Sequence, residues 1–230
     1  MKTIGLIGGM SWESSLEYYR ILNEQVRAHL GGLHSAKCLM LSVDFAEVEE
    51  LQREGRWEEA GAMMAEAALS LERGGADLLV LCTNTMHKCS AQIEQAVRIP
   101  FLHIADATAA RVQAAGMTRI GLLGTRFTME EDFYRGRLEK MFGLQVLVPE
   151  RKSRELVHRV IYDELCLGIT REDSRQAYRA ILHDLARDGA EGILLGCTEI
   201  GLLVGPEDSP VALFDTTRIH AEEAVRLALE

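Results

Sequence analysis

The stretch Ala190-Glu191-Gly192-Ile193-Leu194-Leu195-Gly196-Cys197-Thr198-Glu199 ends an apolar run on a cysteine set among polar residues. Ile193 to Leu195 reads as a buried strand. Gly196-Cys197-Thr198-Glu199 reads as the turn at its carboxyl end, where open parallel α/β sheets hold their ligands. A helix starting near Thr198 would aim unpaired backbone N–H groups at the thiol and favour thiolate, the reactive form. Cys197 is therefore the first candidate for chemistry. The competing reading is packing, because most unpaired cysteines are small buried hydrophobes.

A second copy shifts the balance. Gly75-Ala76-Asp77-Leu78-Leu79-Val80-Leu81-Cys82-Thr83-Asn84-Thr85 aligns without a gap on Gly189 to Glu199, and Thr3 to Gly9 resembles Thr118 to Thr125 at nearly the same offset. Like elements in like order predict an α/β fold of two similar lobes, each a short, mostly parallel sheet flanked by helices. A pseudo-two-fold axis would relate them, with the active site in the cleft between. In this alignment Cys197 falls on Thr83, so each wall of the cleft would present one of the two. Ile99 to Ile104 reads as the crossing between lobes and the breaker-rich Gly205 to Pro210 as the return. The expected first lobe is thus 1–102 with 211–230, and the second is 103–210.

A chain of 230 residues can bury a sizeable core in one or two domains. Its net charge of −10 argues against nonspecific binding to nucleic acid or anionic membrane, both of which need a basic surface. Five irregularly spaced cysteines, none in a C-x-x-C pair, suit neither a disulfide framework nor a zinc knuckle. No leader-like or membrane-length apolar span stands out, so a cytoplasmic location is expected. Gly5-x-x-Gly8-Gly9 lacks the dinucleotide fingerprint, and no Gly-Lys-Ser/Thr follows to make a phosphate loop.

Several polar residues sit where a ligand would. Gly8-Gly9-Met10-Ser11 forms a turn into a helix over 12–30, and its glycines let backbone approach a carboxylate. Gln52 and Arg53 read as loop residues available to a cleft, though solvation is the commoner fate. Thr83, Asn84 and Thr85 crowd one strand end, where a helix cap accounts for one of them but hardly for all. His87 and Lys88 fall in the first helical turn, at the surface or core edge. Thr125 and Thr128 could donate to a carboxylate or cap a helix. Glu164 reads as a solvated helix residue, or as a partner for a substrate ammonium.

Such a cleft suits a reaction in which a carbon-bound proton leaves one face and returns on the other. The deprotonated carbon needs dense hydrogen bonding to its carboxylate, which hydroxyls, an amide and backbone N–H groups can supply. Its base must lie near the proton and be tuned by its surroundings.

At this point the motifs Gly8-Gly9-Met10-Ser11-Trp12, Asp44-Phe45, Cys82-Thr83-Asn84-Thr85-Met86-His87, Leu123-Gly124-Thr125-Arg126-Phe127-Thr128-Met129 and Gly196-Cys197-Thr198-Glu199 resemble, in order and over essentially the whole chain, the aspartate/glutamate racemase family. The resemblance implies an isomerase that needs no pyridoxal cofactor and no metal, forms a homodimer, and acts on a small amino acid, aspartate or glutamate first. It implies substrate contacts from Met10, Gln52, Asn84, Thr85, Thr125, Glu164 and Thr198, with Cys197 and Thr83 as the catalytic pair. One departure matters: the family's usual second cysteine is replaced by Thr83, with Cys82 one residue earlier. Successive strand side chains point to opposite faces, so Cys82 should not substitute unless the turn bulges. A threonine hydroxyl is a poor base, but it can donate or relay a proton. The expected enzyme is therefore asymmetric between enantiomers. Two alternatives are a noncatalytic amino-acid-binding protein and a related carbon-acid enzyme of hydantoin racemase or decarboxylase type.

Overall fold

A computed structural model describes all of residues 1–230. The chain divides into two compact units, 1–104 with 220–230 and 105–219. In the first unit, strands β1 (Ile4–Gly8), β2 (Cys38–Ser42), β3 (Leu78–Leu81) and β4 (Phe101–Leu102) alternate with helices α1 (Trp12–Leu30), α2 (Phe45–Glu54), α3 (Trp57–Arg73) and α4 (Ser90–Ala96). All strand pairs are parallel, in the order β2-β1-β3-β4. The second unit repeats the plan with β5 (Arg119–Gly124), β6 (Gln145–Leu147), β7 (Gly192–Gly196) and β8 (Ala212–Asp215), in the order β6-β5-β7-β8. Its helices are α5 (Ile104–Ala114), which starts at the boundary residue, α6 (Arg126–Glu130), α7 (Arg137–Phe142), α8 (Arg151–Asp163), α9 (Glu172–Arg187) and α10 (Ile200–Leu203). Helix α11 (Thr216–Leu229) ends the chain. No helix is long and apolar enough to cross a membrane.

The pleat explains the near-continuous apolar runs. Every residue of β1, β3 and β7 is buried, as parallel strands covered on both faces require. On one face Ile7, Leu79 and Leu81 pack with Met64, Ala67, Ala68 and Leu71 of α3. On the other, Ile4, Leu6, Leu78 and Val80 pack with Tyr18, Ile21, Leu22 and Val26 of α1 and with Ala221, Ala224, Val225 and Ala228 of α11. Cys82, just past the strand, joins the second cluster.

In each sheet the order reverses between two central strands, β1 and β3 in one and β5 and β7 in the other. Ligands of open α/β sheets bind outside the carboxyl ends at such a switch point. Those ends carry Gly9–Ser11 and Cys82–Thr85 in the first unit, and Thr125 and Cys197 in the second. Gly9 has φ +94°, and a Cβ there would lie 2.2 Å from the Val43 carbonyl oxygen, so only glycine makes this turn. Beneath Cys197, a Cβ on Gly196 would meet the Leu123 carbonyl at 2.8 Å.

The structure corrects four expectations. Val211 to Phe214 does not return to the first unit: β8 pairs in parallel with β7, because the repeat gives each sheet its own fourth strand. Gly205 to Pro210 is accordingly internal to the second unit, where buried Asp208 bonds Arg175 and the Gly205 N–H; the chain passes back at Ile219–His220. Ile99 to Ile104 is more than a crossing, since Phe101 and Leu102 add β4 to the first sheet. Gln52 and Arg53 lie on a helix, α2, capped by Asp44, whose side chain accepts from the Ala46 N–H at 3.0 Å.

Candidate active site

In the first unit the strand ends are tied together by small hydroxyls. Ser11 caps α1 and accepts from the Ser14 N–H. The Ser15 hydroxyl accepts from the Gly9 N–H at 2.7 Å and donates to the Ser11 carbonyl at 3.1 Å. Ser14 Oγ donates to the Cys82 carbonyl at 3.0 Å, locking the start of α1 to the turn after β3. Met10, joined to Ser11 by a cis peptide, is buried in the cluster that also holds Leu51 and Met86. Gln52 is buried, and its Nε2 lies 3.0 Å from the Met86 sulfur. Asn84 and Thr85 are buried. Thr83 is half-buried, and its hydroxyl bonds no other group of the chain. Met10, Gln52, Thr83, Asn84 and Thr85 thus form one neighbourhood.

Cys82 is fully buried, and burial, with Cys38 nearby as a lesser cause, pushes its thiol far above the ordinary range. It is packing. Cys82→Ala is expected to cost about 1–2 kcal/mol of stability in urea unfolding and to leave substrate turnover within twofold; a large loss of turnover would make Cys82 chemical.

In the second unit, Thr125 caps α6, its Oγ1 accepting from the Thr128 N–H at 3.4 Å and lying 3.2 Å from Thr128 Oγ1. Gly124 is register partner to Gly196, so Thr125 and Cys197 leave neighbouring strands side by side. Thr198 Oγ1 is 2.8 Å from Thr217 Oγ1. Glu164 caps the end of α8 with a largely buried side chain, accepts from Ser174 Oγ at 2.7 Å and lies 4.0 Å from Arg171. Glu164 is therefore not a solvated helix residue.

The expected helix N-terminus at Cys197 is absent. Only one turn, α10, follows, and its first N–H, on Ile200, bonds the carbonyl of Cys197 itself at 3.2 Å. The thiol instead donates to Glu199 Oε2 at 2.9 Å. Burial foremost, then the negative charge of Glu199, push the Cys197 thiol well above its ordinary range. At neutral pH the pair rests as thiol and hydrogen-bond acceptor, not as thiolate. Glu199 is buried, and a buried carboxylate beside a thiol is a candidate proton acceptor. Sequence reading had it only as part of the turn; the spacing Cys-x-Glu at a strand end is the signal that could have singled it out.

Arg53 and Arg126, the cations nearest the candidate residues in sequence, are both exposed. Arg53 lies 3.8 Å from Glu49, and the Arg126 guanidinium lies 5.3 Å from the Phe127 ring centre. His87 is not at the surface but buried, with both ring nitrogens bonded to backbone.

Two doubly wound parallel sheets in one chain, with polar turns at both switch points, define a duplicated α/β fold of the Asp/Glu racemase type. A family model described as Asp/Glu/Hydantoin racemase matches residues 7–224, and the chain belongs to that family. It is 54% identical to a Yersinia pestis protein assigned to the Asp/Glu racemases, with all of both chains covered and a TM-score of 0.94. An aspartate racemase homologue from Pyrococcus horikoshii is 35% identical, again with both chains fully covered, at a TM-score of 0.86. RacX of Bacillus subtilis, a broad specificity amino-acid racemase, is 23% identical over 163 residues, 70% of this chain and 68% of RacX.

Proposed function

We propose that the protein is a cofactor-independent racemase of aspartate or glutamate, with Cys197 and Thr83 acting on opposite faces of the α-carbon. The observation that carries this reading is the Cys197 thiol donating to the Glu199 carboxylate at a strand end of a racemase-family chain. Glu199 accepts the thiol proton, and the resulting thiolate removes the α-proton. Negative charge then spreads into the substrate carboxylate, to which Asn84, Thr85, Thr125 and Thr198 with their backbone amides offer donors. Thr83, or water on its hydroxyl, delivers a proton to the other face. Solvent then reprotonates the hydroxyl or hydroxide and takes up the proton held by Cys197 and Glu199, restoring the starting state. Met10 and Gln52 hold the substrate beside Thr83, and Glu164 meets its ammonium group.

Mirror-image substrates have an equilibrium constant of unity in water. kcat/KM is therefore equal in the two directions, and the asymmetry of a thiol opposite a hydroxyl shows in separate kcat and KM values and in isotope exchange. The test is proton NMR of aspartate and glutamate, each enantiomer separately, in D₂O with enzyme, alongside circular dichroism of the mixture. Loss of the α-proton signal with decay of optical rotation is expected for at least one of the four. A stable α-proton in all four at high enzyme loading would leave only binding. Thr83→Cys supplies a second ionisable thiol, and is expected to raise kcat from the enantiomer that Cys197 does not deprotonate by about tenfold or more; an unchanged rate would remove Thr83 from the reacting atoms.

A further inference from the structure

Thr83 has no side-chain partner to hold it, so its placement depends on its backbone. Its N–H closes a tight turn onto the Leu81 carbonyl at 2.9 Å. The helical turn that follows, Thr85–Cys89, is of the 3₁₀ kind, and its His87 N–H bonds Asn84 and not Thr83. The Thr83 carbonyl is met instead by the His87 ring, with Nδ1 at 2.7 Å. The other ring nitrogen, Nε2, lies 3.1 Å from the backbone N–H of Ile104. An amide N–H can only donate, so Nε2 is the bare acceptor and Nδ1 carries the proton given to Thr83. Two backbone groups thereby fix one neutral tautomer.

The ring is held as firmly as its bonds. It lies 5.5 Å from Phe101, 4.6 Å from His103 and 5.8 Å from His220, centre to centre, and all three histidines are buried. His220 is itself pinned, its Nε2 2.9 Å from the Leu102 carbonyl and its Nδ1 2.8 Å from the Tyr18 hydroxyl. His87 thus braces the Thr83 turn against the chain at Ile104, where the first unit ends.

We infer that His87 is a positioning residue for Thr83: its imidazole bridges the Thr83 carbonyl and the Ile104 amide and so sets the peptide plane between Thr83 and Asn84. This rests on the proposed racemisation. Threonine is restricted at χ1, so fixing its backbone leaves its hydroxyl only a few positions. A turn that is free to rotate would misplace the proton donor for one face while leaving Cys197 untouched.

The test separates the two faces. In D₂O, starting from the enantiomer that Cys197 deprotonates, deuterium entering recovered substrate reports Cys197 alone, whereas deuterated opposite enantiomer also needs Thr83. His87→Gln puts an amide near Nε2, keeps an acceptor for Ile104 and loses the bond to Thr83. His87→Asn keeps a donor near Nδ1. The ratio of product formed to substrate exchanged is expected to fall about tenfold in His87→Gln and to stay within about twofold of wild type in His87→Asn. Equal losses of exchange and product in His87→Gln, or an unchanged ratio, would overturn the inference while leaving racemisation standing. Wild type that exchanges no α-proton would sink the racemase reading and this inference with it. A measurement on unmodified protein stands apart from activity: ¹⁵N NMR should find His87 protonated at Nδ1, and an Nε2–H ring would refute the bridge.

Discussion

Cys197→Ser should lose α-proton exchange by about a thousandfold or more while keeping its fold and its affinity for substrate. An exposed thiol ionises near pH 8.5, and a hydroxyl far higher. In the native protein, burial and the Glu199 charge already hold the thiol in its neutral form, so the proposed mechanism requires that proton to pass to Glu199 when substrate is bound. Serine keeps the size and the hydrogen bond but gives up the ionisation. The comparison is made by proton NMR in D₂O, with calorimetric binding of aspartate and far-ultraviolet circular dichroism as controls. Exchange at the wild-type rate in the serine variant would remove Cys197 from the mechanism. Loss of binding together with exchange would mark a packing role.

Glu199→Gln carries the second large effect, and it moves two rates in opposite directions. The carboxylate is both the acceptor of the thiol proton, at 2.9 Å, and, after burial, a cause of the raised thiol. Removing its charge lowers the Cys197 pKa, so at pH 8 a larger fraction is thiolate and alkylation by iodoacetamide speeds up, by about tenfold for each pKa unit recovered. Turnover should nevertheless fall by about a hundredfold, because the proton has lost its acceptor. In wild type the sign is the reverse of an activated cysteine: alkylation stays slow at neutral pH and climbs only as pH rises past the ordinary thiol range. Wild-type alkylation saturating below pH 8 would contradict the resting thiol. Slower alkylation in Glu199→Gln would show that the carboxylate had been favouring thiolate instead.

The contrast between Cys82 and Cys197 follows from strand parity. Both sit just past a central parallel strand, yet Cys82 continues the inward alternation of Leu78 and Val80 into the cluster under α1. In the second copy the chain has one residue more before its cysteine, since Gly196 takes the place of Cys82 in the aligned repeat. A one-residue shift reverses the face. That step separates Cys82, packed in the core of the first unit, from Cys197, whose thiol bonds Glu199.

The sequence alone was enough to determine the duplicated α/β plan, the two strand ends at which polar residues gather, and the family. Those properties depend on local periodicity and on self-similarity, which a linear reading contains. Tertiary structure decided the rest. Which sheet accepts Val211 to Phe214 is a matter of edge pairing, not of the run's composition. Gln52 is buried on α2 because that helix lays its apolar side against the cluster of Leu51 and Met86. His87 is buried because its two nitrogens find backbone partners, one of them seventeen residues away at Ile104. The state of Cys197 was the furthest from sequence reach: the same four residues could have opened a helix whose N–H groups stabilise a thiolate. They fold instead into a turn that brings Glu199 to the sulfur, and burial with an adjacent negative charge keeps the proton on the thiol.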